Sequence, residues 1–344
     1  KVIHVDNSFT ETAPLCLATV VTAERHVLAL GAGNDQRKIQ WSSQETADEW
    51  APTSTNTAGD LTLQDSGTLI TGKRVQGGVL LFTTSAVHRL NYLGPPLVYG
   101  QEILASNAGV QTPNAIYSGP QGTYWLTQSG VWTYDGYIKK LPCPIEKRII
   151  ETVDWSQEAL LFAAGNKRYN EIWWWCPRVG GTQKNCEYYI VYNYADNVWY
   201  DSYSTGSGIA RNVWIDAEVH SSPLAVDPTN NKIYEHEVTN PEQTEIATAE
   251  TGAIDIQQGE RYTRISKIFS DTNQQSAGTV NYKFFTSVSG DAVEIESGNY
   301  PLESDGEIDL RLQGRQLRYK VTGALAADWT VGNTRFEIHT GGRR

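Results

Sequence analysis

Methionine is absent from all 344 residues, and cysteine, histidine and long apolar runs are scarce. The chain opens on Lys1, which is not a translational start, so an N-terminal portion is expected to be missing. Its first stretch, KVIHVDNSFTETAPL, lacks the sustained apolar core of a signal peptide. No stretch approaches the roughly 20 apolar residues that a membrane helix requires, so no membrane-spanning segment is expected. The four cysteines, Cys16, Cys143, Cys176 and Cys186, form no C-x-x-C pair and match no zinc spacing. Cys176 and Cys186 either meet across a hairpin or stay as buried thiols, which leaves the redox compartment open. The six histidines, His4, His26, His88, His220, His236 and His339, include no H-x-H or H-E-x-x-H spacing. There is no P-loop, G-x-S-x-G elbow or G-x-G-x-x-G fingerprint, and LGAGND (30–35) reads as a hairpin turn. No catalytic residue, cofactor or metal is therefore expected. Basic charge is also short: 28 Lys and Arg stand against 39 Asp and Glu, a net charge of -11. That excludes a general nucleic-acid binder with a basic stripe, and leaves a wall that repels phosphate and lets it slide.

Glycine, by contrast, numbers 30, with 11 Trp and 18 Tyr. Helical signals reduce to EKRIIETVDW, after Pro142 and Pro144, and the rest reads as short β-runs between turn clusters. The expected fold class is all-β. Hairpins of one kind recur: HVLALGAGNDQRKIQWSS (26–43), GGVLLFTTSAVHRLNY (77–92), QGTYWLTQSGVWTYDG (121–136), the longer EIWWWCPRVGGTQKNCEYYIVYNYADNVWY (171–200) and SSPLAVDPTNNKIYEHE (221–237). Each is an apolar strand, a polar turn and a second strand with apolar residues at alternate positions. The first apolar residues of those second strands, Ile39, Val87, Val131, Tyr189 and Ile233, follow one another at 48, 44, 58 and 44 residues. Four-stranded propeller blades recur at about 40–50 residues, and RVGGTQKN accounts for the long step. Residues 1–240 are thus expected to form β-propeller-like blades, with a β-sandwich of similar hairpins as the rival architecture.

Near Pro241 the pattern changes, and residues 241–344 are expected to be a separate C-terminal β-sandwich or platform domain. Val280, Tyr282, Phe284 and Val288 alternate with Asn281, Lys283, Phe285 and Ser287, as on a half-buried strand. GEIDLRLQGRQLRYKVTG reads as a hairpin about Gly314-Arg315, with Ile308, Leu310, Leu312, Leu317, Tyr319 and Val321 on one face. NTRFEIHT adds a last strand with Phe336 and Ile338 inward. That hairpin would set Asp309 opposite Lys320 and Arg311 opposite Arg318. The second pair is unfavourable unless the arginines splay into water or meet an acidic surface.

Acidic and aromatic clusters would also allow glycan chemistry. Asp135, Asp154, Asp196, Asp201 and Asp216 recur near blade edges, where turn aspartates normally bond to nearby backbone. In EIWWWCPR, Trp173 and Trp175 share one side of a strand and Trp174 takes the other, which favours packing between blades over a sugar platform.

A family resemblance rests on three stretches: KIQWSSQETADEWAPTSTNTAGDLTLQDSGTLITGKRVQGGVLLFTTSAVHRLNYLGPPLVYG, NAGVQTPNAIYSGPQGTYWLTQSGVWTYDGYIKKLPCPI, and the terminal GRQLRYKVTG and DWTVGNTRFEIHTGGRR. In that order they resemble the tail nozzle, or tail tubular, proteins of short-tailed (podovirus-type) bacteriophages, over roughly 36–344. Such proteins usually start well before this Lys1. The resemblance implies a non-enzymatic structural subunit of the virion tail, assembled in the host cytoplasm into a ring of its own copies, typically a hexamer. The ring lies below the portal and adaptor, the head-to-tail connector. It lines the channel through which double-stranded DNA passes without sequence-specific binding, and it docks tail fibres or spikes. On this reading Arg311, Arg315, Arg318, Arg335, Arg343 and Arg344 are expected to form a basic edge at the interface between subunits, because head-to-tail rings need unlike patches on the two sides of each protomer. A secreted propeller lectin or glycan hydrolase is the alternative.

Overall fold

The computed structural model describes residues 13–341 except 66, 183–184, 204–209, 218–219, 229, 239–245, 260, 275–278 and 325–328. The chain divides into two compact units, Lys1–Val238 and Thr239–Arg344. The protein is all-β, with blade-like antiparallel sheets followed by a β-sandwich.

In the first unit, strands join in sequence order into four four-stranded sheets and a three-stranded one. The first sheet is β1 (Ala18–Val21), β2 (Val27–Leu30), β3 (Lys38–Trp41) and β4 (Gly59–Thr62). The second is β5 (Leu69–Val75), β6 (Gly78–Thr83), β7 (Val87–Gly94) and β8 (Val98–Ala105). The third is β9 (Ile116–Gly119), β10 (Gly122–Thr127), β11 (Gly130–Tyr134) and β12 (Ile138–Lys140). After α1 (Glu146–Thr152) comes the fourth: β13 (Phe162–Asn166), β14 (Glu171–Cys176), β15 (Tyr188–Asn193) and β16 (Val198–Tyr203). The fifth is β17 (Val213–Ile215), β18 (Leu224–Asp227) and β19 (Lys232–Glu235). Ile39, Val87, Val131, Tyr189 and Ile233 all fall on the third strand of their sheets. The recurrent hairpin is therefore the middle of each blade, and the long step is the β14–β15 connection.

Successive sheets pack face to face, so a middle sheet buries both sides. On β6, Val79 and Leu81 meet Leu28, Leu30 and Trp41 of the first sheet, while Leu80 and Phe82 meet Ile116 and Trp125 of the third. This is why VLLF is a continuous apolar run and not an alternating one. On β14, Ile172, Trp174 and Cys176 join Tyr124 and Leu126 of the third sheet, and Trp175 turns the other way, toward Trp214 of the fifth. Each such large side chain withdrawn from water contributes about 1.5–3 kcal/mol. The first strands lie side by side, β1 on β5, β9 on β13 and β13 on β17, which sets one common edge for the stack. The outer face of the fifth sheet leaves Val213, Ile215 and Ile233 exposed. Among the described residues no apolar cluster joins it to the first sheet.

The second unit pairs two sheets around Ile265, Ile268, Tyr282, Phe284, Ile308, Leu310, Leu317 and Val321. Its strands are β20 (Thr248–Glu250), β21 (Ile254–Asp255), β22 (Thr263–Ser270), β23 (Asn273–Gln274), β24 (Val280–Ser287), β25 (Ile295–Pro301), β26 (Glu307–Gly314), β27 (Gln316–Gly323), β28 (Trp329–Thr330) and β29 (Thr334–Thr340). One sheet runs β20-β27-β24-β25, with β21 also on β27; the other runs β26-β22-β29. The expected hairpin at Gly314-Arg315 does not form. β26 pairs with β22, whereas β27 sits between β20 and β24 in the opposite sheet. The two apolar rows thus face each other across the core, which buries both, where a hairpin would have put both on one side. The corner is held at Arg315: its N–H donates to Ser287 O (2.9 Å) and its carbonyl accepts from Ile256 N (2.9 Å). Two further expectations change. Val288 lies beyond β24 and is exposed, and Ile338, on the edge strand β29, is 41% exposed although Phe336 packs on the core.

Candidate functional site

Because β26 and β27 belong to different sheets, neither Asp309–Lys320 nor Arg311–Arg318 is a cross-strand pair. Arg318 faces Phe285 on β24, and its guanidinium carbon lies 3.9 Å from the centre of that ring. Its Nε donates to Glu294 Oε1 (3.0 Å), and the group also pairs with Glu250. The acidic surface that meets Arg318 belongs to its own chain. Lys320 stands opposite Glu250 on one side and Lys283 on the other, and Lys283 pairs with Glu296. Arg335 pairs with Asp271, and Arg315 lies 5.2 Å from the Tyr262 ring centre. Arg343 and Arg344 lie outside the described residues. Arg311 is different: it is exposed on the outward side of β26, with no ion pair among the described residues. Arg264, exposed on the adjoining β22 opposite Gln313, shares that outward side and was missed in the sequence. The alternation Thr263-Arg264-Ile265 carried the signal. Neighbouring Lys267 is bound to Glu307 (2.8 Å) and Asp309 (3.5 Å), and Glu307 first of all holds its ammonium above the usual lysine range.

In the first unit the blade-edge carboxylates have local duties. Asp154 accepts from Ser156 N (3.1 Å) and Oγ (2.6 Å), and Asp216 accepts from Ala217 N (2.8 Å). Asp135 binds Lys139 (2.6 Å), which holds its carboxyl below the usual range. Asp196 sits in a turn organised by Asn193, whose Oδ1 accepts from its N–H (3.0 Å). Asp201 departs from the turn pattern. It lies on β16 and accepts from Tyr188 OH (2.7 Å) and Arg148 Nε (2.9 Å). Two of the histidines are equally occupied. His26 Nδ1 lies 3.0 Å from Tyr99 OH, and burial lowers its pKa. Fully buried His88 has Nδ1 3.0 Å from Gln101 Oε1 and Nε2 3.2 Å from Asp65. No group of three His, Cys, Asp or Glu side chains with the geometry of a metal site occurs among the described residues.

All four cysteines are free thiols. Cys176 packs with Trp174 in one cluster and Cys186 with Trp175 in the next, and burial pushes the Cys186 thiol up to about 12. Two tryptophans of EIWWWC form a slab between sheets: Trp173 stacks on Trp175 (5.7 Å between ring centres) and on Trp214 (5.5 Å), while Trp174 stacks on Trp199 on the other side. Their faces are spent on packing.

No protein-family model matches the chain, and no curated protein matches it. Among solved structures it is similar to a fungal alcohol oxidase with copper (10% identity, 94% of this chain and 74% of that one, TM-score 0.36). It is also similar to the N-terminal domain of Nup159 (10% identity, 93% and 92%, TM-score 0.35). A third is the core factor of S. cerevisiae (7% identity, TM-score 0.35), where 87% of this chain spans 54% of that one. Likenesses this distant bear on neither mechanism nor partners.

Proposed function

We propose that the chain is a structural, non-enzymatic subunit of a short-tailed phage tail nozzle. Copies of it close a ring that lines the DNA exit channel and docks adaptor and fibre or spike proteins. The observation that carries this reading is the order of the three resembling stretches along roughly 36–344. Physical chemistry supports it on two counts. A net charge of -11 suits a conduit, since each lysine or arginine bound to phosphate would add a salt-sensitive grip that slows passage. The carboxylates at blade edges cap turns and bind cations, duties suited to a scaffold.

Among the described residues the basic edge between subunits narrows to Arg311 with Arg264, because Arg318 and Arg335 are neutralised within their own chain and Arg315 packs on Tyr262. The place of action is the virion tail, after assembly in the host cytoplasm. Electron microscopy of the protein in its native particle tests the proposal. The expected result is a closed symmetric ring about a channel. A lone monomer that degrades glycans would overturn it.

A further inference from the structure

At one end of the first unit, the turns between second and third strands and the links between sheets line a half-open cavity of about 220 Å³. The β6–β7 turn supplies Thr84 and Ser85, and the β10–β11 turn supplies Gln128 and Ser129. The link from β8 to β9 supplies Asn107 and Gln111, and the turn before β13 supplies Trp155 and Glu158. The volume is below the roughly 300–1,000 Å³ of pockets for drug-sized ligands, so it suits a single ring.

The walls are held in place by bonds that engage some lining groups and leave others unused. Ala86 N donates to Thr83 Oγ1 (2.8 Å), Gln111 Nε2 to Thr84 O (3.3 Å) and Trp155 Nε1 to Ile150 O (3.1 Å). The Asn107 and Gln128 amides and the Glu158 carboxylate have no side-chain hydrogen bond among the described residues. No lysine or arginine lines the space, which argues against a phosphate or carboxylate ligand. The lining instead combines hydroxyls and amides, one indole, one acid and an apolar floor of Val110, Ala115, Leu126 and Leu161.

A ring with an apolar C–H face and hydroxyls around its edge matches that division. We propose that this cavity binds one neutral pyranose unit, with Trp155 and the apolar floor against its C–H face and Glu158, Asn107 and Gln128 accepting from its hydroxyls. Burial holds the Glu158 carboxyl above the usual range, which favours an uncharged ligand beside it. Binding is not cleavage: glycoside hydrolysis needs two carboxylates, and Glu158 is the only acid in the lining. The inference is independent of the nozzle reading, since it rests on this cavity alone.

The test is saturation-transfer NMR on the whole chain with free glucose, galactose and mannose, against glucuronic acid and glucose 6-phosphate. At least one neutral hexose should give signal, and the two anionic sugars should give none. Glu158→Gln should weaken the response about tenfold, the scale of a lost hydrogen bond to a charged group. Gln128→Ala, an exposed rim change that leaves the fold intact, should weaken it less. Silence from all three neutral hexoses, equal signal from the anionic sugars, or wild-type binding by both variants would each overturn the proposal.

Discussion

His236 shows how far one side chain can be tuned by its neighbours. Its Nε2 accepts from Arg211 Nε (2.9 Å), while the Arg211 guanidinium lies 4.6 Å from the Tyr234 ring centre and 3.9 Å from Asp227. An accepting nitrogen requires the neutral ring, and burial together with Arg211 lowers the pKa from 6.5 to about 4. The unfolded chain therefore takes up a proton before the folded one as pH falls. The associated stability is complete above about 6.5 and is lost as pH drops toward about 4. The ceiling is about 3 kcal/mol, and solvent at the partly exposed ring reduces it to about 1–2 kcal/mol. Urea unfolding across that window should show the loss, and His236→Gln should flatten it. Equal pH slopes for the two proteins would refute the account. His236 lies just beyond β19 between two glutamates, and nothing local in the sequence marks Arg211, 25 positions earlier, as its partner.

At the scale of elements, the recurrent hairpin was legible because its cause is local. Gly78 and Gly122 open the second strands of neighbouring blades with φ 157° and 138°. A Cβ at Gly78 would lie 2.4 Å from Leu90 O, and one at Gly122 would lie 2.6 Å from Tyr134 O. Each glycine lets the strand start directly beneath the carbonyl of the third strand. Gly136 also has positive φ, 115°, but open space around it. Gly122→Ala should cost about 1–3 kcal/mol and Gly136→Ala less, read from thermal or denaturant midpoints. Equal costs would show that backbone strain, not the carbonyl, demands glycine. The β26–β27 segment misled for the opposite reason. Its alternation was read correctly, but alternation specifies which side of a strand is apolar and not which strand lies beside it.

For the whole molecule, two of the arginines expected at a subunit edge, Arg318 and Arg335, are matched within the chain, so Arg311 is the informative one. Arg311→Glu changes an exposed cation with no ion pair among the described residues, and should stop ring formation while leaving monomer stability within about 0.5 kcal/mol. Arg318→Glu is a poor probe of assembly, because it would set a third acid beside Glu250 and Glu294 and lose the contact with Phe285. Light scattering and negative-stain images of the Arg311 variant decide the matter: rings of normal size would remove Arg311 from the interface.

Composition and periodicity alone determined an all-β chain, the five recurring hairpins, the short helix after Pro144 and the acidic balance, since each follows from neighbours within a few residues. Tertiary structure decided that Trp173, Trp174 and Trp175 serve two separate interfaces, that β26 and β27 part into opposing sheets, and that Arg318 is already paired. It also assembled the cavity around Glu158 from turns that lie more than seventy positions apart along the chain. Those outcomes depend on which distant surfaces bury each other, and apolar burial, being non-directional, leaves no mark of its partner in the sequence.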